Sequence, residues 1–436
     1  MSVSKKLNTV LAVCFLGLAV LLISSCGKSE TNKNLITSEK DEKKPVNIFG
    51  PMEKSKPDAT NKARSAFDLT VGIAEEKLGI NVEYRTYTAE NYQEKTYDDV
   101  ALDRVRNNMD DLYLLNPDTI QILGEEGRLL DLSVLESSEN IREIVKNANT
   151  VNGKLVAIPQ EIVVHGLFVN QDIFDKYNLE LPETPEDLLE CCKVFKENGY
   201  ETPIGANRWW LENFVFAQAY AGLYNEGNTE AEIEALNTGK SKYSDYMRPG
   251  FEYLKKLSDL GYINAKKAYT YEAIEGEGPD FLAQKTPIVM AYWGAANTET
   301  AYGKPGFEMK VIGFPSRLGQ MPVVSMTGYS ISAKAEHMED TINMLDIILS
   351  DRALEVYSKT NKVVSPSKNV EVKCVKALEP LNDKIKENIY VLGSNAGMKV
   401  EQWGNTCLIV RDLLKGATVD ECMAKFDKLQ EESLNK

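Results

Sequence analysis

The chain has 436 residues, 43% hydrophobic and 26% charged, the balance of a soluble globular protein. Its formal net charge is −15, with 65 acidic residues against 50 Lys and Arg, so nucleic acid is not an expected partner. Seven cysteines without a CxxC pair indicate neither a disulfide framework nor a zinc site, and two histidines leave little for a His-rich metal site; no metal and no cofactor are expected.

At the N-terminus, Lys5 and Lys6 precede an apolar run from Val10 to Ile23. That run is shorter than the roughly 20 residues a membrane-spanning helix needs, and reads as a signal peptide. Ile23, Ser24, Ser25 and Cys26 resemble the lipobox of bacterial lipoproteins. The resemblance implies removal of residues 1–25 and lipid on Cys26, followed by a polar, flexible tether over 26–45. "PVNIFG" then reads as a strand. Ala63, Phe67, Val71, Ala74 and Leu78 recur at helical spacing up to a stop at Gly79. "INVEYRTY" alternates as a strand, a polar helical stretch follows, and "DDLYLLN" gives another strand. The β-α-β-α-β order predicts an α/β lobe.

Further on, "VNGKLVAIP" and "HGLFVN" read as strands. In "ETPEDLLECCKVFKENG", Thr184 caps a helix, Pro185 takes its first position and Asp187 suits its positive end; Gly199 ends it. The second half continues in the same style, with strands "PIVMAYW" and "MKVIGFP", helix "EDTINMLDIILSD" and a closing helical pair. No GxSxG, HExxH, P-loop or GxGxxG motif occurs, so no enzyme is expected. A carboxylate pair for glycoside hydrolysis has no specific signal among 65 acids.

Six stretches in order resemble the extracellular solute-binding proteins of ABC transporters, family 1, in the branch with sugar-binding members. They are "EEGRLLDLS", "VNGKLVAIP", "GLFVNQDIFDKYNLELPETPEDLLECCKVFKENGYETPI", "FLAQKTPIVMAYWG", "TGYSISAKAEHMEDTINMLDIILSDRALEVY" and "LLKGATVDECMAKFDKLQEE". The departures are Val169 where a tyrosine is common, Pro185-Glu186 where Thr-Trp often sits, Gln284-Lys285 for Gly-Lys, and Trp293 one place before its glycine. The resemblance implies a two-lobe, periplasmic-binding-protein-like (type II) α/β fold with hinge strands and a ligand cleft. The expected first lobe is 46–160 with 315–364, and the second 161–314 with 365–436.

A sugar presents apolar C–H faces and hydroxyl rims, so its site wants flat aromatic rings beside amides and acids. The four tryptophans all fall in the expected second lobe. Trp403 matches the family's stacking aromatic before the last helices, and Trp293, Trp209 and Trp210 join it as candidates. In the first lobe, Glu53 and Lys54 follow the first strand, and Asn116 and Asp118 follow "LYLL" at a strand's carboxyl end, where α/β sheets bind ligands. Gln160 at the hinge and Tyr271 complete the set, while His165 is read as structural. The expected protein is a monomer held on the outer face of the cell membrane by its lipid. It captures a small solute, expected to be a mono- or oligosaccharide, and delivers it to the ABC permease. The alternatives are a surface glycan-acting enzyme and a solute receptor for a membrane sensor.

Overall fold

A computed structural model describes residues 44–52, 62–92, 95–207, 210–270, 277–294, 305–371, 376–394 and 396–435. The signal peptide, Cys26 and nearly all of the tether therefore lie outside the described residues.

The chain builds two main sheets. The first has four strands in the order Gly328–Ile331, Leu112–Leu115, Val46–Gly50, Val82–Thr86. The three N-terminal strands are parallel, and Gly328–Ile331 joins antiparallel at the edge. Side chains alternate across the strand Val46–Gly50: Val46 and Ile48 enter one core, Phe49 the other. The helix Lys62–Leu78 covers one face together with Met338–Ile348 and Asp351–Asn361, burying Phe67, Val71 and Ala74. It ends where Gly79 turns at φ +62°, a left-handed conformation that suits glycine. Tyr97–Arg106 and Pro117–Glu125 cover the other face, the former opened by a reciprocal Thr96–Asp99 capping box.

The second sheet centres on the buried strand Val163–Asn170. Ile288–Trp293 pairs along one side of it, with Ile204–Gly205 beyond. On the other side Val323–Ser325 pairs with its first half and Met309–Ile312 with its second, and Val391–Leu392 lies outside Val323–Ser325. The helix Pro185–Glu197 starts with the Thr184–Asp187 capping box and Pro185 in its first turn, as the sequence predicts. Leu211–Asn225 and Tyr243–Asp259 pack on each other and on the core around Leu167, Phe214 and Phe251.

The chain passes between the sheets three times. The first passage lies between Ile158, bridged to Tyr329 of the first sheet, and Val163. The second comes later than expected. Phe314–Ser316 forms a hairpin with Gly319–Met321, Phe314 and Met321 enter the second core, and Val323–Ser325 is a strand of the second sheet. The segment from 315 to 325 thus belongs with the second lobe. The third passage is also late: Ser367 bridges Ile141, and Arg142 donates to the carbonyl of Ser365. Residues 365–367 therefore stay with the first lobe. Among the described residues no helix is long and apolar enough to cross a membrane.

Candidate functional site

Between the two sheets lies a cleft of about 490 Å³. Its two walls differ in chemistry. The first-lobe wall comes from the carboxyl end of Leu112–Leu115, where Asn116, Pro117, Asp118 and Thr119 begin a helix, and from Asp98 and Leu102 on the neighbouring helix. Asn116 occupies the cap position without capping; its amide turns sideways and donates to Asp98 at 3.0 and 3.2 Å. The Thr119 hydroxyl donates to the same carboxylate at 2.7 Å. Asp98 thereby fixes the start of the helix that presents Asp118.

The second-lobe wall is aromatic. Trp403 opens the helix Trp403–Leu414, lines the cleft and is 42% exposed. Its indole N–H donates to Glu212 Oε1 at 3.1 Å. Glu212 is fully buried in the first turn of Leu211–Asn225 and also accepts from the Asn213 amide at 2.6 Å. Burial pushes its carboxyl well above the usual range. The indole is thus oriented by a buried carboxyl while part of it stays exposed at the cleft. Trp210 stands edge-on to Tyr292, their ring centres 5.8 Å apart at 74°, and Tyr292 leans against His165. His165 Nε2 meets the Ser325 hydroxyl at 2.9 Å, and its Nδ1 has no hydrogen-bond partner. Burial pushes the imidazole down to about 3, so it is neutral at physiological pH.

The walls meet where Asp118 faces Glu401, two residues before Trp403. Burial, then the charge and hydrogen bond of Glu401, then the charge of Asp98 push Asp118 up to about 8. With little water to screen it from the neighbouring carboxyls, Asp118 keeps its proton at neutral pH. No Lys or Arg lines the cleft among the described residues. Nor do any three His, Cys, Asp or Glu among them stand close enough to hold a metal ion.

Of the residues singled out from sequence, Trp403, Trp210, Asn116 and Asp118 come together here. Trp293 does not. It is 2% exposed, packs on Phe168 and donates its indole N–H to the Lys362 carbonyl at 2.9 Å. Strand alternation is the reason: one residue earlier, Tyr292 turns to the cleft, so Trp293 turns to the core. Gln160 is buried as well, its amide spent on the Thr70 and Tyr329 hydroxyls at 3.4 Å each. His165, read as structural, lines the cleft. Glu53, Lys54, Trp209 and Tyr271 lie outside the described residues. Tyr292, Asp98, Asn213, Ser325 and Glu401 are additions; the phase of the strand "PIVMAYW" could have exposed Tyr292, whereas Asp98 carries no local signal.

The model of the family described as bacterial extracellular solute-binding protein matches residues 59–353. The Multiple sugar-binding protein of Streptococcus mutans is 21% identical over 349 residues, 78% of each chain. The Polygalacturonan/rhamnogalacturonan-binding protein YtcQ of Bacillus subtilis is 26% identical over 135 residues. That is 28% of this chain, which spans only 26% of that relative's length. Among solved structures, a chitin oligosaccharide binding protein superposes with a TM-score of 0.72 at 17% identity, covering 90% of this chain and all of the other. Apo RafE from Streptococcus pneumoniae gives 0.71 at 15% identity, covering 89% and 98%. These superpositions establish a shared two-lobe fold, and the family match over most of the length settles the family: the chain belongs to the bacterial extracellular solute-binding proteins.

Proposed function

We propose that this protein captures a carbohydrate between its two lobes and delivers it to the permease of an ABC transporter, without altering it chemically. The observation that carries the reading is the cleft itself. An aromatic wall of Trp403, Trp210 and Tyr292 faces a wall of amide, hydroxyl and carboxyl groups on Asn116, Thr119 and Asp118. Stacked rings take the C–H faces of a sugar, and the polar wall takes its hydroxyls. The names of the sugar-binding relatives point the same way. The three passages between the sheets act as a hinge, so a ligand touching both walls favours closure. Lipid on Cys26 would hold a monomeric receptor beside its permease at high effective concentration.

The test is calorimetry and thermal unfolding of the full chain with a panel of mono- and oligosaccharides. A bound sugar raises the unfolding midpoint with concentration. Silence across the panel would overturn the carbohydrate reading.

One arrangement favours a glycan-acting enzyme: the Asp118–Glu401 pair, with one carboxyl pushed up beside another. Glycoside hydrolysis needs its two carboxyls about 5 Å or more apart with the bond between them, and these two are in contact. Incubation with the same oligosaccharides is expected to release no reducing ends.

A further inference from the structure

Resting on the carbohydrate reading, we infer that the cleft selects neutral or amine-bearing glycans and refuses anionic ones, because Asp118 of the first lobe meets Glu401 of the second with Asp98 beside them. Three carboxyl groups line the space and, among the described residues, no Lys or Arg does. Among the described residues of the lining, His165 is the other group that could carry a positive charge, and it is buried and held neutral. A sugar carboxylate entering here would lose its water and meet like charge in a partly desolvated site, which costs affinity.

Two buried atoms show what the site lacks. Asp118 and His165, both residues of the cleft wall, each keep one buried side-chain atom without a hydrogen-bond partner, Oδ1 and Nδ1. Buried polar atoms are ordinarily satisfied, so these await polar groups of a ligand. The carboxyl oxygen accepts from a hydroxyl or an ammonium. Asp118 and Glu401 come from opposite lobes, so a donor placed between them bonds to both and ties the lobes together. An ammonium does this with charge as well as with hydrogen bonds. A uronate carboxylate has no proton to offer and adds a further negative charge.

The experiment is calorimetry on the full chain at pH 7 with gluco-, galacto- and manno-configured oligosaccharides, each in neutral, uronate and amino form. In whichever configuration binds, the uronate form is expected to be weaker than the neutral one by roughly tenfold or more, and the amino form at least as tight. The Asp118→Asn/Glu401→Gln double variant is expected to narrow the gap between neutral and uronate forms by about tenfold. Glu401→Gln alone, exposed and outside the core, is expected to narrow it in part. A uronate that binds as tightly as its neutral counterpart would overturn this inference and leave the carbohydrate reading standing. So would a gap unchanged in both variants. Failure of every form to bind would overturn both.

Discussion

The two walls of the cleft are held in place by opposite means. On the first-lobe side the groups facing the cleft bond to one another: Asn116 and Thr119 converge on Asp98, and all of them sit at helix starts. On the second-lobe side Trp403 is fixed from behind by buried Glu212, while His165 bonds to Ser325 beside it on the same wall. The polar wall therefore offers a preset pattern of donors and acceptors, and the aromatic wall a preset surface. Area without rotatable bonds gives affinity at low entropic cost, whereas a fixed polar pattern gives discrimination, since an unmatched buried group is penalised. The second lobe is accordingly expected to hold the ligand and the first to read it.

Removing the exposed indole of the aromatic wall tests that division most severely. Trp403→Ala is expected to cost about 2 kcal/mol or more of binding, roughly thirtyfold in Kd, by calorimetry with a bound sugar. The fold should be retained at a cost of about 1–2 kcal/mol, because buried Glu212 loses the indole donor but keeps the Asn213 amide. Unchanged affinity would end the stacking role. On the opposite wall, Asp98→Ala leaves the Asn116 amide and the Thr119 hydroxyl without their acceptor and loosens the helix start that carries Asp118. A loss of about 1–2 kcal/mol, close to tenfold in Kd, is expected, with discrimination between epimeric sugars reduced more than affinity for the best one. If Asp98→Ala weakened binding more than Trp403→Ala, the roles of the two walls would be reversed.

Much of this architecture is visible in the residues themselves. Thr184, Pro185 and Asp187 spell a helix start, Gly79 a helix stop, and the alternation in "INVEYRTY" a strand, because each rests on neighbours within a turn or two. Asn116 and Asp118 were legible as candidates because they follow an apolar strand, at the end where α/β folds place ligands, and Trp403 through its match to the stacking aromatic of the family that the sequence resembles. What was not legible depends on distant pairing. Val323–Ser325 is three residues long, and only its bonds to Val163–His165 assign it to the second sheet. Trp293 was a better candidate than Tyr292 by residue type alone, and the face each takes depends on which side of the strand Ile288–Trp293 the cleft lies. Asp98 and Glu401 matter through partners 18 and 283 positions away, respectively Asn116 and Asp118.

The smallest expected effect concerns the seam where the walls touch. Asp118 is pushed from 3.8 up to about 8 by burial first and then by Glu401 and Asp98. A carboxyl raised in this way holds its proton more tightly in the folded chain than in the unfolded one. Its stabilising contribution is full below about pH 4 and is lost as pH rises through about 8. Glu277, buried elsewhere in the second lobe and pushed up to about 7, and Glu212, fully buried and pushed well above its usual range, act in the same direction, so the share of Asp118 is read as the difference between the native chain and Asp118→Asn. Part of the cost can be relieved by the lobes parting, which keeps the effect on unfolding small. In the ligand-free chain the unfolding midpoint is expected to fall by roughly 1–2 °C between pH 7 and 9. Asp118→Asn should flatten that slope while leaving the midpoint at pH 6 nearly unchanged, since an amide there stands in for the protonated acid. A midpoint that rises over this range, or an identical slope in Asp118→Asn, would mean that Asp118 does not hold its proton through neutrality and that the walls meet without electrostatic consequence.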